Sequence, residues 1–155
     1  YLFGGEHELG LRAGTLNVAG IAAMTTALEI ALVMQEENRR CFWKRNEIVL
    51  EALQIEPSNN TAFSPAILSL SFPGVLGESL VVELDALGFG ISSGAACSSH
   101  STEPSHVLTA LGVHDDQIRG TIRVSFGLSN TDESTRSLAQ ALRSLTKGFG
   151  LALCH

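Results

Sequence analysis

Apolar residues recur at helical spacing from residue 16 or 17 to about Leu53. Charged residues such as Glu36 and Arg40 lie between them, as in a helix with one apolar side. The pattern predicts one long or bent helix. Residues 57–60, Pro-Ser-Asn-Asn, end it, because proline and small polar residues favour a turn.

Beyond residue 60, apolar and polar residues alternate over 66–72 and 121–126, which predicts two β-strands. A brief third strand is predicted at 89–91. Strands alternating with helices after a long leading helix indicate an α/β or α+β layer, in which helices cover a small sheet. The other predicted helices span residues 80–87, 104–112 and about 130–147.

Composition narrows the class of protein. With 155 residues, 45% hydrophobic and 17% charged, the chain suits one globular domain or part of a larger one. A net charge of -6 and a pI near 5.3 disfavour nucleic-acid binding. The longest uncharged run, residues 13–28, holds Thr, Asn and Gly, so we expect no membrane segment.

The three cysteines, Cys41, Cys97 and Cys154, form no C-x-x-C pair. An odd number without such a pair fits neither a disulfide framework nor a zinc knuckle. We therefore expect a reducing, cytoplasmic environment. No secretory signal is visible, although the chain begins at Tyr1, so targeting signals upstream would be missing from it.

Cys97 is the first candidate for chemistry. It lies in the run Ser92-Ser93-Gly94-Ala95-Ala96-Cys97-Ser98-Ser99-His100, which follows an apolar segment directly. A buried structural cysteine would not have such polar neighbours, whereas a mobile loop on a rigid scaffold presents a reactive thiol well. Packing explains Cys41 and Cys154 better, because the first lies in the long helix and the second near the C-terminus.

Two other kinds of site are weaker candidates. Residues 90–94 match the G-x-S-x-G motif of hydrolases, but no helix clearly follows and no Asp–His partners can be assigned. Cys97 and His100 have C-x-x-H spacing, but the other histidines, His7, His106 and His114, are too scattered to predict a metal site. Arg123, on a predicted strand, is either an ordinary exposed residue or a bidentate carboxylate binder.

Three motifs together carry a resemblance to a known family. Residues 92–112 resemble the active-cysteine loop of the cysteine desulfurases of the nitrogen-fixation and iron–sulfur-cluster type, in the class-V group of pyridoxal-phosphate enzymes. Residues 4–15 resemble the family's glycine-rich segment, and residues 122–127 resemble its late strand. The motifs occur in family order and cover essentially the whole chain.

The resemblance implies a fold and a reaction. The fold would be the end of the large domain of a fold-type I enzyme, residues 1–35, followed by its small C-terminal domain, residues 36–155. In the family, the loop cysteine, here Cys97, attacks the sulfur of L-cysteine as a thiolate, alanine leaves and a persulfide remains. Arg123 matches the residue that binds the substrate carboxylate. Thr15 matches the threonine that binds the cofactor phosphate in the neighbouring subunit of a homodimer.

The chain also departs from the family pattern. The family's Ser-His-Lys motif, which attaches pyridoxal phosphate, lies upstream of the glycine-rich segment, and neither Lys44 nor Lys147 matches it. This chain alone should therefore not catalyse the reaction. Glu6 replaces a glycine, and Leu9 and Leu128 replace arginines common in the family.

The partners that the resemblance implies are L-cysteine and an iron–sulfur scaffold protein as sulfur acceptor. Two alternatives stay open. The chain could be a binding or dimerisation module without catalysis. It could instead belong to a relative that acts on selenocysteine or cysteine sulfinate.

Overall fold

The computed structural model describes residues 3–55, 64–93, 105–149 and 152–153. The chain divides into two compact units, Tyr1–Glu37 and Asn38–His155. The long helix α1, Val18–Leu53, runs from the first unit into the second and confirms the longest predicted element.

In the first unit, a short 3-10 turn at Glu8–Gly10 precedes α1. The side chain of Asn17 accepts a hydrogen bond from the Gly20 N–H at 3.0 Å, which satisfies one of the free donors of the first helical turn. The apolar side chains of this unit are exposed, among them Val18, Ile21, Met24, Leu28 and Val33.

By length and composition alone, α1 is apolar enough to cross a membrane. The expectation of no membrane segment rested on the uncharged run at residues 13–28, so it does not cover the whole helix. A helix that is apolar on most sides also suits the interior of a large protein. Composition therefore does not decide between the two environments.

The second unit contains a four-stranded sheet of order β2-β3-β1-β4, in which every neighbouring pair is antiparallel. Both predicted long strands are confirmed to within one residue at each end. The strands are β1 at Ile67–Ser71, β2 at Ser92–Ser93, β3 at Thr121–Ser125 and β4 at Ala152–Leu153.

The prediction of a strand at 89–91 was displaced by two to three residues, since β2 spans Ser92–Ser93. The Phe89 N–H donates to the carbonyl of Leu84 at 2.8 Å, so this residue belongs to the end of a helix. Gly88, with φ +86°, reverses the chain there. Pairing with β3 begins only at Ser92.

Four further helices follow α1 in the part of the chain that the structure describes. The helix predicted at 104–112 is shorter than expected, and a further short helix follows it after Gly112, which has φ +75°. The last helix begins with a capping box, in which Thr131 and Ser134 satisfy each other's backbone N–H groups. The helices are α2 at Gly77–Ala86, α3 at His106–Ala110, α4 at Asp115–Ile118 and α5 at Asp132–Leu145.

The core lies on one face of the sheet, where α1, α2 and α5 contribute apolar side chains. The predicted inward set of β3, Ile122 and Val124 together with the following Phe126, is buried. The other core residues are Val49, Leu50, Leu68, Leu70, Phe72, Leu80, Leu84, Leu138, Ala139 and Leu142.

Helix α1 also holds one end of the β1–β3 pair. Buried Arg45 donates from Nη1 to the carbonyl of Gly127 at 2.9 Å. Buried Asn46 donates from Nδ2 to the carbonyl of Pro65, also at 2.9 Å. Since Pro65 precedes β1 and Gly127 follows β3, the two side chains fix both strands where the ladder ends.

An ion pair between Lys44 and Asp132 links α1 to the start of α5. The hydrogen bond from Lys44 lowers the pKa of Asp132 below its ordinary value of 3.8. A carboxyl group with a lowered folded-state pKa stabilises the fold above its unfolded pKa, and this contribution disappears as pH falls through the folded value.

We therefore expect Asp132→Asn to lower the urea unfolding midpoint by more at pH 6 than at pH 2.5. Glu133→Gln, an exposed neighbour in the same helical turn, serves as the control variant. An equal loss of stability at both pH values would show that the effect does not come from the ion pair.

Candidate functional site

The sheet face opposite the core is polar. Residues that pair directly across antiparallel strands point to the same face, so the register identifies its members. We call these residues the polar face: Ile67, Ser69 and Ser71 of β1, Ser92 of β2, and Thr121, Arg123 and Ser125 of β3.

One end of the polar face is closed. Ser71 and Thr121, which pair across β1 and β3, each donate a side-chain hydrogen bond of 2.7 Å to the carbonyl of Gln117 in α4. Both side chains are fully buried. Their hydroxyl groups therefore support the fold, and the open part of the face begins at the next pair.

Arg123 lies in the middle of that open part. It pairs with Ser69 of β1 on one side and with Ser92 of β2 on the other. The residue is exposed, and its guanidinium group has no hydrogen bond or ion pair to any residue that the structure describes. None of the strands β1 to β3 contains an acidic residue, so the guanidinium is available to bind an external carboxylate in bidentate geometry.

Cys97 and the segment 94–104 lie outside the described residues. The structure does describe both flanks of the segment, since β2 ends at Ser93 and α3 begins at His106. Ser92 is the direct cross-strand partner of Arg123, so β2 ends one residue beyond the Arg123 position.

The hydrolase motif does not have the geometry that its chemistry needs. A nucleophile elbow places the serine on a tight turn between a strand and a helix. Ser92, the serine of the motif, instead lies within β2 and pairs with Arg123 of β3. This position is part of a regular ladder and gives no support to a serine nucleophile.

Thr15 lies in the first unit, in the glycine-rich segment just before α1. It is exposed, and Arg12 donates long hydrogen bonds of 3.4 Å to the carbonyls of Gly14 and Thr15. A phosphate group is favoured beside the free N–H groups at a helix N-terminus. The N–H groups of Val18, Gly20 and Ile21 already have hydrogen-bond partners, so the Thr15 hydroxyl is the donor here that suits a phosphate ester.

Backbone strain marks the same segment. Glu8 and Leu9 have φ values of +52° and +58°, a conformation that side chains larger than glycine rarely adopt. Leu9, one of the departures from the family pattern, is 99% exposed, and Leu128 is 70% exposed. Their apolar side chains therefore do not serve the core of the described chain.

The lysines and histidines do not extend the site. Lys44 is paired with Asp132, and Lys147 follows the end of α5, so neither belongs to the polar face. Among the described residues, no group of three His, Cys, Asp or Glu side chains could hold a metal ion. His114 lies near Asp116, with 3.7 Å between Nδ1 and Oδ2.

The sequence patterns did not predict that Ser69 and Ser92 are neighbours of Arg123. Ser69 lies between Leu68 and Leu70, and Ser92 follows Ile91, which indicates only that both serines face away from the core. Their adjacency to Arg123 depends on the strand register, which joins positions 54 residues apart in β1 and β3.

Comparison with known proteins places this geometry in context. The family model described as Aminotransferase class-V matches residues 5–138. A putative cysteine desulfurase IscS 1 of Bacillus subtilis (strain 168) is 39% identical over 153 residues, covering 94% of this chain and 40% of the relative. Cysteine desulfurase IscS of Methanosarcina thermophila is 36% identical over 151 residues, covering 94% and 37%.

Solved structures agree with these matches. A NifS-like protein from Rickettsia africae ESF-5 is similar with a TM-score of 0.76 at 27% identity, covering 93% of this chain and 39% of that one. Another NifS-like protein has a TM-score of 0.71 at 30% identity, covering 93% and 38%. The chain thus spans about two fifths of the length of the relatives it matches.

Proposed function

Since the chain belongs to the class-V aminotransferase family, we propose that it is the part of a cysteine desulfurase that accepts sulfur from L-cysteine. The predicted fold class, a small α/β domain preceded by a long helix, is confirmed by the family match and the two NifS-like structures. One observation carries the functional proposal: Arg123 lies beside the strand that leads directly to Cys97.

Arg123 binds the substrate carboxylate in this proposal. Its guanidinium fork matches a carboxylate in two parallel hydrogen bonds, which fixes the orientation of the ligand as well as its position. Strands β1, β2 and β3 contain no acidic residue, so no strand carboxylate neutralises the positive charge of Arg123.

Cys97 supplies the nucleophile. It lies four positions after Ser93, and an extended chain spans at most about 14 Å over that distance. The thiolate attacks the sulfur of L-cysteine, so that a sulfur–sulfur bond forms while the carbon–sulfur bond of the substrate breaks. The carbon skeleton leaves as alanine, and Cys97 keeps the sulfur as a persulfide for an acceptor such as an iron–sulfur scaffold protein.

Pyridoxal phosphate is the cofactor of the proposed enzyme. When bound, it withdraws electrons from the amino-bearing carbon of the substrate, which allows the carbon–sulfur bond to break. The Thr15 hydroxyl would donate a hydrogen bond to its phosphate. In the family pattern this contact comes from the neighbouring subunit, so we include a homodimer in the proposal, together with a cytoplasmic location.

The remaining part of the large domain would cover the exposed apolar side chains of the first unit. The chain spans about two fifths of its relatives, so a longer polypeptide has ample length for this packing. The family match includes α1, and this favours burial of the helix within a protein over insertion into a membrane.

We expect the 155-residue chain alone to form no covalent cofactor adduct at a unique lysine. Lys44 is paired with Asp132, and Lys147 lies beyond the end of α5, so neither side chain is placed on the polar face. Borohydride reduction in the presence of pyridoxal phosphate, followed by peptide mass spectrometry, checks this result. Stoichiometric labelling of either lysine would contradict it.

The function itself is tested with the full-length polypeptide that contains this chain. We expect L-cysteine to yield one alanine per sulfur released, and mass spectrometry to find a persulfide on Cys97. Parallel assays with selenocysteine and cysteine sulfinate establish the preferred substrate. A polypeptide that binds the cofactor but releases no alanine from any of the three would be a binding or dimerisation module, and the proposal would be wrong.

A further inference from the structure

Two serines on the polar face have no evident structural role. Ser69 and Ser92 are half-buried, yet neither hydroxyl has a hydrogen-bond partner among the residues that the structure describes. The contrast with Ser71 and Thr121 is direct, because those hydroxyls on the same face both bond to the carbonyl of Gln117. Half-buried hydroxyl groups without protein partners are available to a ligand.

The position of the two serines is defined by the sheet register. Ser69 and Ser92 are the direct cross-strand partners of Arg123 on its two sides. Neighbouring strands lie about 4.8 Å apart, so one serine lies on each side of Arg123 in the sheet. We call Ser69, Arg123 and Ser92 the Arg123 row.

The chemistry of the row suits one end of a small carboxylate ligand. A carboxylate has about four acceptor positions, and a guanidinium fork fills only two of them. Serine hydroxyls donate to the others.

We propose that Ser69 and Ser92 are substrate-positioning residues that donate hydrogen bonds to the carboxylate held by Arg123. This inference rests on the proposed function, and it assigns to the two hydroxyls the orientation of L-cysteine within the site. The carboxylate keeps its charge and its contacts throughout the reaction, so the two serines contribute equally to substrate binding and to the transition state. Their loss therefore raises KM and leaves kcat nearly unchanged.

The test uses the full-length polypeptide with Ser69→Ala, Ser92→Ala and the double substitution. We expect KM for L-cysteine to rise about five- to tenfold in each single variant and further in the double variant, with kcat within about twofold. The inhibition constant of L-alanine, which has the carboxylate but no sulfur, should rise by the same factor. Ser79→Ala is the matched control, since Ser79 is an exposed serine of α2 that lies outside the polar face.

Threonine at either position separates a hydroxyl contact from a structural effect. Ser69→Thr and Ser92→Thr keep the donor and should restore KM to within about twofold of the parent. Threonine variants that behave like the alanine variants would overturn the inference. So would a double alanine variant with unchanged KM and unchanged inhibition by L-alanine.

These outcomes are distinct from a failure of the proposed function. If the parent polypeptide releases no alanine from L-cysteine, the proposed function fails. If the parent is active and its KM does not depend on Ser69 and Ser92, the function stands and only the positioning role is wrong.

Discussion

Cys97→Ser should reduce sulfur release from L-cysteine to background in the full-length polypeptide, with the cofactor and the substrate still bound. A serine hydroxyl is not ionised near neutral pH and is a far weaker nucleophile toward sulfur than a thiolate. In the proposed function, substrate binding depends on the Arg123 row, which the substitution does not change. Alanine and sulfide are measured together, and cofactor absorbance and substrate affinity report binding.

Cys41 provides a matched control for this experiment. It is a free, exposed cysteine in α1, so Cys41→Ser removes a thiol of the same kind from another part of the chain. We expect full activity in that variant and a persulfide still confined to Cys97. Near-normal sulfide production by Cys97→Ser would show that its thiol is not the sulfur acceptor.

The fold could be predicted from the sequence where local patterns decide the structure. Period-two alternation identified β1 and β3 because each strand has one face in the core. Helical spacing identified α1 in the same way. The displaced strand β2 is different, because Gly88 and the Phe89–Leu84 hydrogen bond extend the end of α2 into the predicted strand.

The candidate site could be predicted only in part, because its residues come together through non-local pairing. Cys97 and Arg123 were identified one at a time from composition and family resemblance. Nothing local in the sequence pairs Arg123 with Ser69, 54 residues earlier, or with Ser92, 31 residues earlier. The long-range register that the shared core imposes on β1 and β3 creates this row.

Packing also explains the roles of two glycines that sequence alone could not assign, Gly77 at the start of α2 and Gly120 just before β3. A Cβ atom at Gly120 would overlap the carbonyl of Phe72, and one at Gly77 would lie 2.8 Å from the carbonyl oxygen of Thr121. The backbone of Gly120 therefore lies close to that of Phe72, and the backbone of Gly77 lies close to that of Thr121, at the closed end of the polar face. Sequence alone marks both positions simply as turn residues.

Arg123→Ala should lower kcat/KM for L-cysteine by about a hundredfold or more. Two charge-assisted hydrogen bonds to the carboxylate, worth about 1.5–3 kcal/mol each, are lost together. Arg123→Lys keeps the charge but not the fork, so we expect an intermediate loss. Because the side chain is exposed and the guanidinium has no partner within the described chain, thermal stability should change little.

Arg119 is the matched control, an exposed arginine two residues before β3. Arg119→Ala removes the same charge from a position outside the polar face, so kcat/KM should stay within about twofold of the parent. The ratio between the two variants separates a specific carboxylate contact from general electrostatic attraction. If both substitutions lower kcat/KM equally, Arg123 acts only through its charge. A full-length Arg123→Ala enzyme with an unchanged KM for L-cysteine would place the substrate carboxylate elsewhere, and the Arg123 row would then have no role in binding.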